Sequence, residues 1–332
     1  MSAVTIIIPT NRPWQILAPC LRSVAAQTFD PAEIEVITVF NGVEPADDAH
    51  PADWPFRLVV QRLPEANIAA AKNVALDRAR GELLILVNDD VRLRNDFVQQ
   101  HLDAQRRFGE PGFVLGEALW QALPNDTLFD QLIQTTPMIF GYCDLTPRRR
   151  YDFRHAWNLN VSVRRSVLGR MRFDEQLGPF FYEDLELAFR VQQRHGPCVW
   201  YEPNACCVHE HRYTLDSYLQ REAAMGSAAV RLWNANPECY RAIFKSDLDD
   251  AYQLYCGQFV RNEGGREAEL RGLLEMAARR PVSWLGVREE ALPGLTRLIY
   301  HAHLPLKRLV FRRALLEALD VSPAVEREAV LA

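Results

Sequence analysis

Short β-branched and aliphatic runs at Val4 to Ile8, Ile34 to Phe40, Leu58 to Gln61 and Leu83 to Val87 alternate with stretches of helical period. Between the first two, Trp14, Leu17, Leu21 and Val24 recur at helical spacing, and Ala69 to Arg80 reads as a second helix closed by Gly81. This alternation predicts parallel strands joined by crossover helices, an α/β sheet. A helix from about Asp96 to Phe108, capped by Asn95 and stopped by Gly109, follows. Residues 110 to 156 carry Pro111, Pro124, Pro137 and Pro147 among scattered aromatics and give no readable period. Pattern returns at Trp157 to Val163, in a helix opened by Glu183-Asp184 and ended by Gly196, and in strand-like Cys198 to Tyr201 and Ala205 to Val208. From Thr214 onward the chain reads as helical, with breaks at Gly264-Gly265 and Pro281 and no internal repeat.

The 332 residues predict about two units. Hydrophobic residues at 48% and charged residues at 24% exclude disordered, collagenous and coiled-coil classes. A formal charge of -5, from 38 basic and 43 acidic side chains, argues against a nucleic-acid partner. Seven cysteines without a Cys-x-x-Cys pair fit neither a disulfide framework nor a structural zinc site, which suggests a cytoplasmic location. Met1 runs directly into Val4 to Pro9, which reads as a first strand and not as a signal peptide. No apolar stretch approaches the ~20 residues of a spanning helix, so any membrane contact would be peripheral.

Each early strand ends in polar residues, Thr10-Asn11-Arg12, Asn41-Gly42 and Asn88-Asp89-Asp90, and open parallel sheets bind ligands at these carboxyl ends. Carboxylates in the third cluster suit a hard cation that completes its shell with substrate phosphates, although a turn cap would use the same residues. Glu183-Asp184 opens a helix behind a Gly-Pro-aromatic loop, which is an ordinary helix start or a rigidly held general base. His209 and His211 share a face if their strand continues, and could ligate a metal or simply lie at the surface. Lys72, beside Asn73, reaches a phosphate above the sheet or is a solvated lysine. Trp157, Phe180, Phe181 and Tyr182 offer flat faces to a sugar ring, or belong to the core.

From Val4 to about His211 the chain resembles a family 2 glycosyltransferase of the GT-A fold. Val4 to Pro13 resembles the opening strand and nucleotide loop, and Asn41-Gly42 the base-contacting turn. Ala70-Ala71-Lys72-Asn73 resembles the Ala-Arg-Asn helix with Lys in place of Arg, and Asn88-Asp89-Asp90 stands where the family has Asp-x-Asp. The resemblance implies a Rossmann-like mixed sheet flanked by helices over residues 1–212, with a mainly helical extension over 213–332. It implies Pro9, Thr10, Asn11, Arg12, Asn41, Lys72, Asn88 and Asp89 as nucleotide-sugar contacts, and Asp90 with His209 or His211 as ligands of Mn2+ or Mg2+. Asp184 is the implied base beside Glu183, with Trp157, Asn158 and Tyr182 on the acceptor side.

The implied activity is metal-dependent, inverting transfer of a hexosyl or deoxyhexosyl group from a nucleotide-diphosphate sugar, UDP or dTDP before others. The acceptor would be the hydroxyl of a glycan or lipid-linked glycan, in polysaccharide or glycolipid synthesis. Asn88 in place of an acid motivates a rival reading, a non-catalytic sugar-nucleotide-binding or scaffold subunit. A sugar-phosphate nucleotidyltransferase ranks last, because Pro9 to Pro13 contains no glycine. In residues 296–313, Arg297, Lys307, Arg308, Arg312 and Arg313 punctuate Leu298, Ile299, Leu306, Leu309, Val310 and Phe311. That pattern predicts peripheral contact with anionic lipid at the inner membrane face, or a basic-faced helix packed on its own domain. The remaining helical surface could support a homodimer.

Overall fold

The computed structural model describes residues 3–44, 54–286 and 288–321. Residues 1–2, 45–53, 287 and 322–332, parts of the two expected domains, lie outside the described residues. The chain divides into two compact units, one of Met1–Gln121 with Asp144–His211 and one of Ala122–Cys143 with Arg212–Ala332.

The first unit runs β1 (Val4–Thr10), α1 (Trp14–Ala25), β2 (Ile34–Asn41), β3 (Arg57–Leu63), α2 (Ile68–Arg78), β4 (Leu83–Val87) and β5 (Val91–Leu93). It continues with α3 (Phe97–Phe108) and β6 (Phe113–Trp120), and α4 (Leu128–Thr135) then belongs to the second unit. The first resumes with β7 (Arg150–Tyr151), β8 (Asn160–Arg164), α5 (Arg165–Leu168), α6 (Glu183–His195) and β9 (Val199–His209). The strands form one sheet in the order β3-β2-β1-β4-β8-β6-β9-β5, with β7 paired to β9. β1 to β4 are mutually parallel, whereas β8 runs antiparallel to both neighbours, which makes the sheet mixed. β1, β2 and β4 are nearly continuous apolar runs because helices cover both faces of a parallel sheet; Ile6, Val36 and Ile85 are fully buried.

Several local expectations change. α2 begins after Asn67, whose side chain accepts from the Ala70 amide, and ends at Arg78 with Ala79 extended. Gly81 is therefore not its stop; its amide donates to Thr5 Oγ1 at 2.9 Å, where a Cβ would collide with the Thr5 backbone. α3 is preceded by Asp96 and not capped by Asn95, while Gly109 closes it in the left-handed conformation at φ 66. The two strand-like runs after residue 197 are one strand, β9, interrupted by a bulge. Gly116 pairs with Glu202, yet the next residue, Glu117, pairs with Cys206.

A buried side-chain network holds that bulge. Asn160 Nδ2 donates to the carbonyls of Glu117 and Ala205, both at 2.8 Å. Asn160 Oδ1 meets His101 Nε2 at 2.9 Å, and His101 Nδ1 meets Ser162 Oγ at 2.9 Å. Burial holds the His101 imidazolium pKa down to about 4, against an opposing contribution from Asn160, so the ring is neutral. Satisfied in this way, the network fixes how β9 resumes its pairing on the way to His209.

The second unit adds α7 (Leu215–Ala235), α8 (Pro237–Phe244), α9 (Asp250–Gly264), α10 (Glu267–Arg279) and α11 (Leu292–Val321) to α4. The segment 296–313 lies within α11, where part of its apolar face packs against protein while Leu298 is exposed. Ile299, Leu306 and Leu309 are buried, and α11 packs on α7 and α9. Lys307 lies 3.5 Å from Glu222, Arg313 pairs with Glu267 at 2.6 Å, and the Arg312 guanidinium stacks 4.1 Å over Phe259. Amphipathic period alone does not distinguish a lipid-facing helix from one covered by protein. Among the described residues, no helix is long and apolar enough to cross a membrane.

Candidate active site

The polar ends of β1, β2 and β4 lie side by side, because β1 pairs in register with β2 and β4. Thr10 is buried at the end of β1 and donates to Asp89 Oδ2 at 2.5 Å, and the Arg12 amide returns a bond to Thr10 Oγ1 at 3.1 Å. Arg12 then turns its guanidinium onto the acids, pairing with Asp89 and placing Nη1 2.7 Å from Asp90 Oδ2. Burial opposes the guanidinium's charge, but the two carboxylates outweigh it and hold its pKa above the ordinary arginine value. Asn41 is buried, takes the Asn67 amide on Oδ1 at 2.7 Å and leaves Nδ2 without a hydrogen-bond partner. Pro9 and Asn88 are half-buried, and Asn11 is exposed.

β5 follows Asp90 directly and pairs antiparallel with β9, opposing Val91 to His209. That register brings both histidines to Asp90. His209 Nε2 lies 3.2 Å from Asp90 Oδ1, and His211 Nδ1 lies 3.4 Å from Oδ2. Their rings stack at 5.7 Å between centroids. Burial would raise the Asp90 carboxyl, but the imidazoles and Arg12 hold it well below the usual carboxylate range. Among the described residues, no three His, Cys, Asp or Glu side chains form a ready metal-binding group. The donors nonetheless suit a divalent ion: a buried carboxylate whose Oδ1 lacks a hydrogen-bond donor stands beside imidazoles, and His209 Nδ1 is likewise unpaired.

Glu183 and Asp184 form the first turn of α6. Phe181 and Tyr182, just before them, both adopt left-handed backbone at φ 74 and φ 69. Such conformations cost bulky residues about 1–3 kcal/mol each and persist where surroundings over-determine them. Gly178 supports the loop by lying where any Cβ would meet the Asn67 side chain, and the Ile68 amide donates to Pro179 O at 3.2 Å. Asp184 Oδ2 accepts from the Asn158 amide at 3.4 Å, and Oδ1 from the Leu185 amide at 2.8 Å. Burial first, then the charge of Glu183, raise its carboxyl to about 6, against Lys72 and those two amides. Asn158 precedes β8, whose first residue, Asn160, pairs with Val87 at the end of β4. Asp184 is thereby tied to the chain that runs beside Asn88-Asp89-Asp90. Trp157 is half-buried and Tyr182 buried.

Lys72 is not a solvated cation: it is 4% exposed, and its Nζ lies 2.6 Å from Glu183 Oε1 and 5.1 Å from the Phe173 ring. Sequence reasoning passed over this pairing, as it did the His101-Asn160 bulge network. A cavity of about 920 Å³ opens at the other end of the sheet, lined by Leu83, Arg164 and Arg165 among others. It lies away from these acids and histidines, so chemistry, and not size, locates the site.

A sheet of this topology with its acids at the strand ends defines the class of the protein, a GT-A type fold. A solved mannosyltransferase, PcManGT from Pyrobaculum calidifontis in complex with GDP-Man and Mn2+, shares that fold with a TM-score of 0.55 at 16% identity. The match covers 98% of this chain and 88% of that one. Residues 5–117 match the family described as Glycosyl transferase family 2. Over 256 residues it is 27% identical to the succinoglycan biosynthesis protein ExoM of Rhizobium meliloti (strain 1021), covering 72% of this chain and 78% of that protein. It is 32% identical over 124 residues to an uncharacterized glycosyltransferase, YfnE, of Bacillus subtilis (strain 168), covering 36% of this chain and 30% of that protein.

Proposed function

We propose that this glycosyltransferase moves a sugar from a nucleotide-diphosphate donor to a glycan hydroxyl with inversion, in polysaccharide synthesis, using Asp184 as the general base. One observation carries the reading: Asp184 is held by the amide of Asn158 beside the β4 end that bears Asp89 and Asp90. In a single displacement the acceptor oxygen bonds to the anomeric carbon, the bond to the diphosphate oxygen breaks, and the hydroxyl proton passes to an Asp184 carboxylate oxygen. With its pKa near 6, Asp184 is ionised at neutral pH and more basic than an ordinary carboxylate, as a base in this role requires. The orphaned Asn41 Nδ2 and the exposed Asn11 stand ready for the nucleotide, UDP or dTDP before others. A divalent ion would be held by Asp90 with His209 or His211, Mn2+ before Mg2+ because imidazole suits the softer ion, and would neutralise charge on the departing diphosphate.

The test is transfer and donor hydrolysis with UDP, dTDP and GDP sugars and Mn2+, alongside Asp184→Asn. The expected result is loss of turnover by ~10²- to 10⁴-fold in the variant, with donor affinity by calorimetry unchanged. Full activity in Asp184→Asn would remove the base assignment. Donor binding without turnover in the unaltered protein would instead mark the non-catalytic subunit that Asn88 suggests.

A further inference from the structure

We propose that Lys72 is a positioning residue of this reaction: buried against Glu183, it fixes the first turn of α6 and cancels the Glu183 charge beside Asp184, and it does not serve the diphosphate. That role presupposes Asp184 as the base.

The geometry leaves Lys72 little freedom for another task. Its side chain is 5% exposed and that of Glu183 7%, and the 2.6 Å pair bridges α2 to α6. Glu183 Oε2 is buried without a hydrogen-bond partner, so the Lys72 ammonium is the cation compensating this carboxylate. Releasing Lys72 to a substrate phosphate would leave a buried anion directly before the base, an arrangement disfavoured in low dielectric. Glu183 is adjacent to Asp184 in the chain, and its negative charge opposes ionisation there while Lys72 promotes it. The groups facing Asp184 are Glu183 and the Leu185 amide from α6, Lys72 from α2, and the Asn158 amide from the segment before β8. The ion pair is therefore a matched device: one partner alone would move the base in one direction, and together they largely offset.

The experiment compares kcat/KM against pH for the unaltered protein, Lys72→Gln, Glu183→Gln, the double variant and Lys72→Arg, with donor KM measured throughout. Losing the ammonium should move the acid limb up by roughly one pH unit, and losing the Glu183 charge should move it down by a similar amount. The double variant should return near the original limb, and Lys72→Arg should retain it, with donor KM within about twofold in every case. An acid limb that stays fixed in both single variants overturns the proposal. So does a donor KM raised about tenfold, the loss expected of a charged phosphate contact. Where a single variant fails to fold, the double variant still decides through donor KM, because it lacks the lysine but leaves no buried charge unpaired. If the acid limb persists in Asp184→Asn, the base assignment fails instead, whatever Lys72 does.

Discussion

The Arg12 guanidinium stands 2.7 Å from the Asp90 carboxylate, so a side chain from the loop after β1 already occupies the negative charge that a divalent ion would seek. It also pairs with Asp89, which Thr10 braces from the same loop. Arg12 and an ion compete for one carboxylate, and Arg12→Gln removes the competitor. The expected outcome is a rise of about fivefold in Mn2+ affinity of the nucleotide-free protein, as fits ~1 kcal/mol for a partly exposed pair. Titration followed by electron paramagnetic resonance of free Mn2+ reads it directly, and unchanged or weaker binding would show that the two do not compete.

Periodicity reads the frame of the sheet well, because β1, β2 and β4 are nearly continuous apolar runs that lead into polar residues. It missed β6 and α4, where prolines interrupt the pattern and where β6 depends on neighbours far away in sequence, β8 and β9. The histidines after residue 208 were visible as a pair, but their meeting with Asp90 depends on β5, a three-residue strand too short to announce itself. Locally Lys72 reads as a phosphate contact or a solvated lysine, because helix and charge are local signals. Its partner, 111 positions later, is set by the loop geometry ahead of α6, which no local pattern encodes. Likewise nothing local to α3 signals the His101 contacts, which arise because β8 brings Asn160 and Ser162 against it.

Asp184, the proposed base, should weaken the fold. Its carboxyl titrates near 6 in the folded protein, above the ordinary 3.8, because burial and the Glu183 charge disfavour the anion. The folded state thus holds the proton more tightly, and the stabilisation is complete below about pH 4 and lost as pH rises through about 6. Asp184→Asn, neutral throughout, is expected to be more stable than the unaltered protein at pH 8, by on the order of 1–3 kcal/mol. Near pH 4 the two should agree. Calorimetric melting at pH 4, 6 and 8 checks this, and a difference that does not grow with pH contradicts it.

His101 gives a dependence of opposite sign. Burial lowers its pKa from 6.5 to about 4, so between those values the unfolded chain takes up a proton that the folded chain refuses. Stability should therefore fall as pH drops from about 6.5 toward 4, by on the order of 3 kcal/mol from this group. His101→Gln keeps hydrogen-bonding capacity toward Asn160 and Ser162 but cannot titrate, and its urea midpoint should fall less over the same interval. Equal slopes for the two proteins would assign the acid sensitivity to other groups.

Gly116 on β6 lies opposite the bulge in β9 that precedes His209. A Cβ there would overlap the Ala205 carbonyl oxygen and the Asn160 amide, the two groups that close the bulge. Gly116→Ala must push the strand outward or expel Asn160, at a cost of about 1–3 kcal/mol from overpacking. His209 lies further along β9, paired opposite Val91, so the displacement should reach the imidazole facing Asp90. The expected result is a lower melting temperature together with weaker Mn2+ binding. Gly272→Ala is the control: it sits inside α10 with open space around its Cβ, and should raise stability by about 1 kcal/mol with Mn2+ binding unaltered. If Gly116→Ala loses stability yet binds Mn2+ as before, the bulge supports the sheet without setting the position of His209.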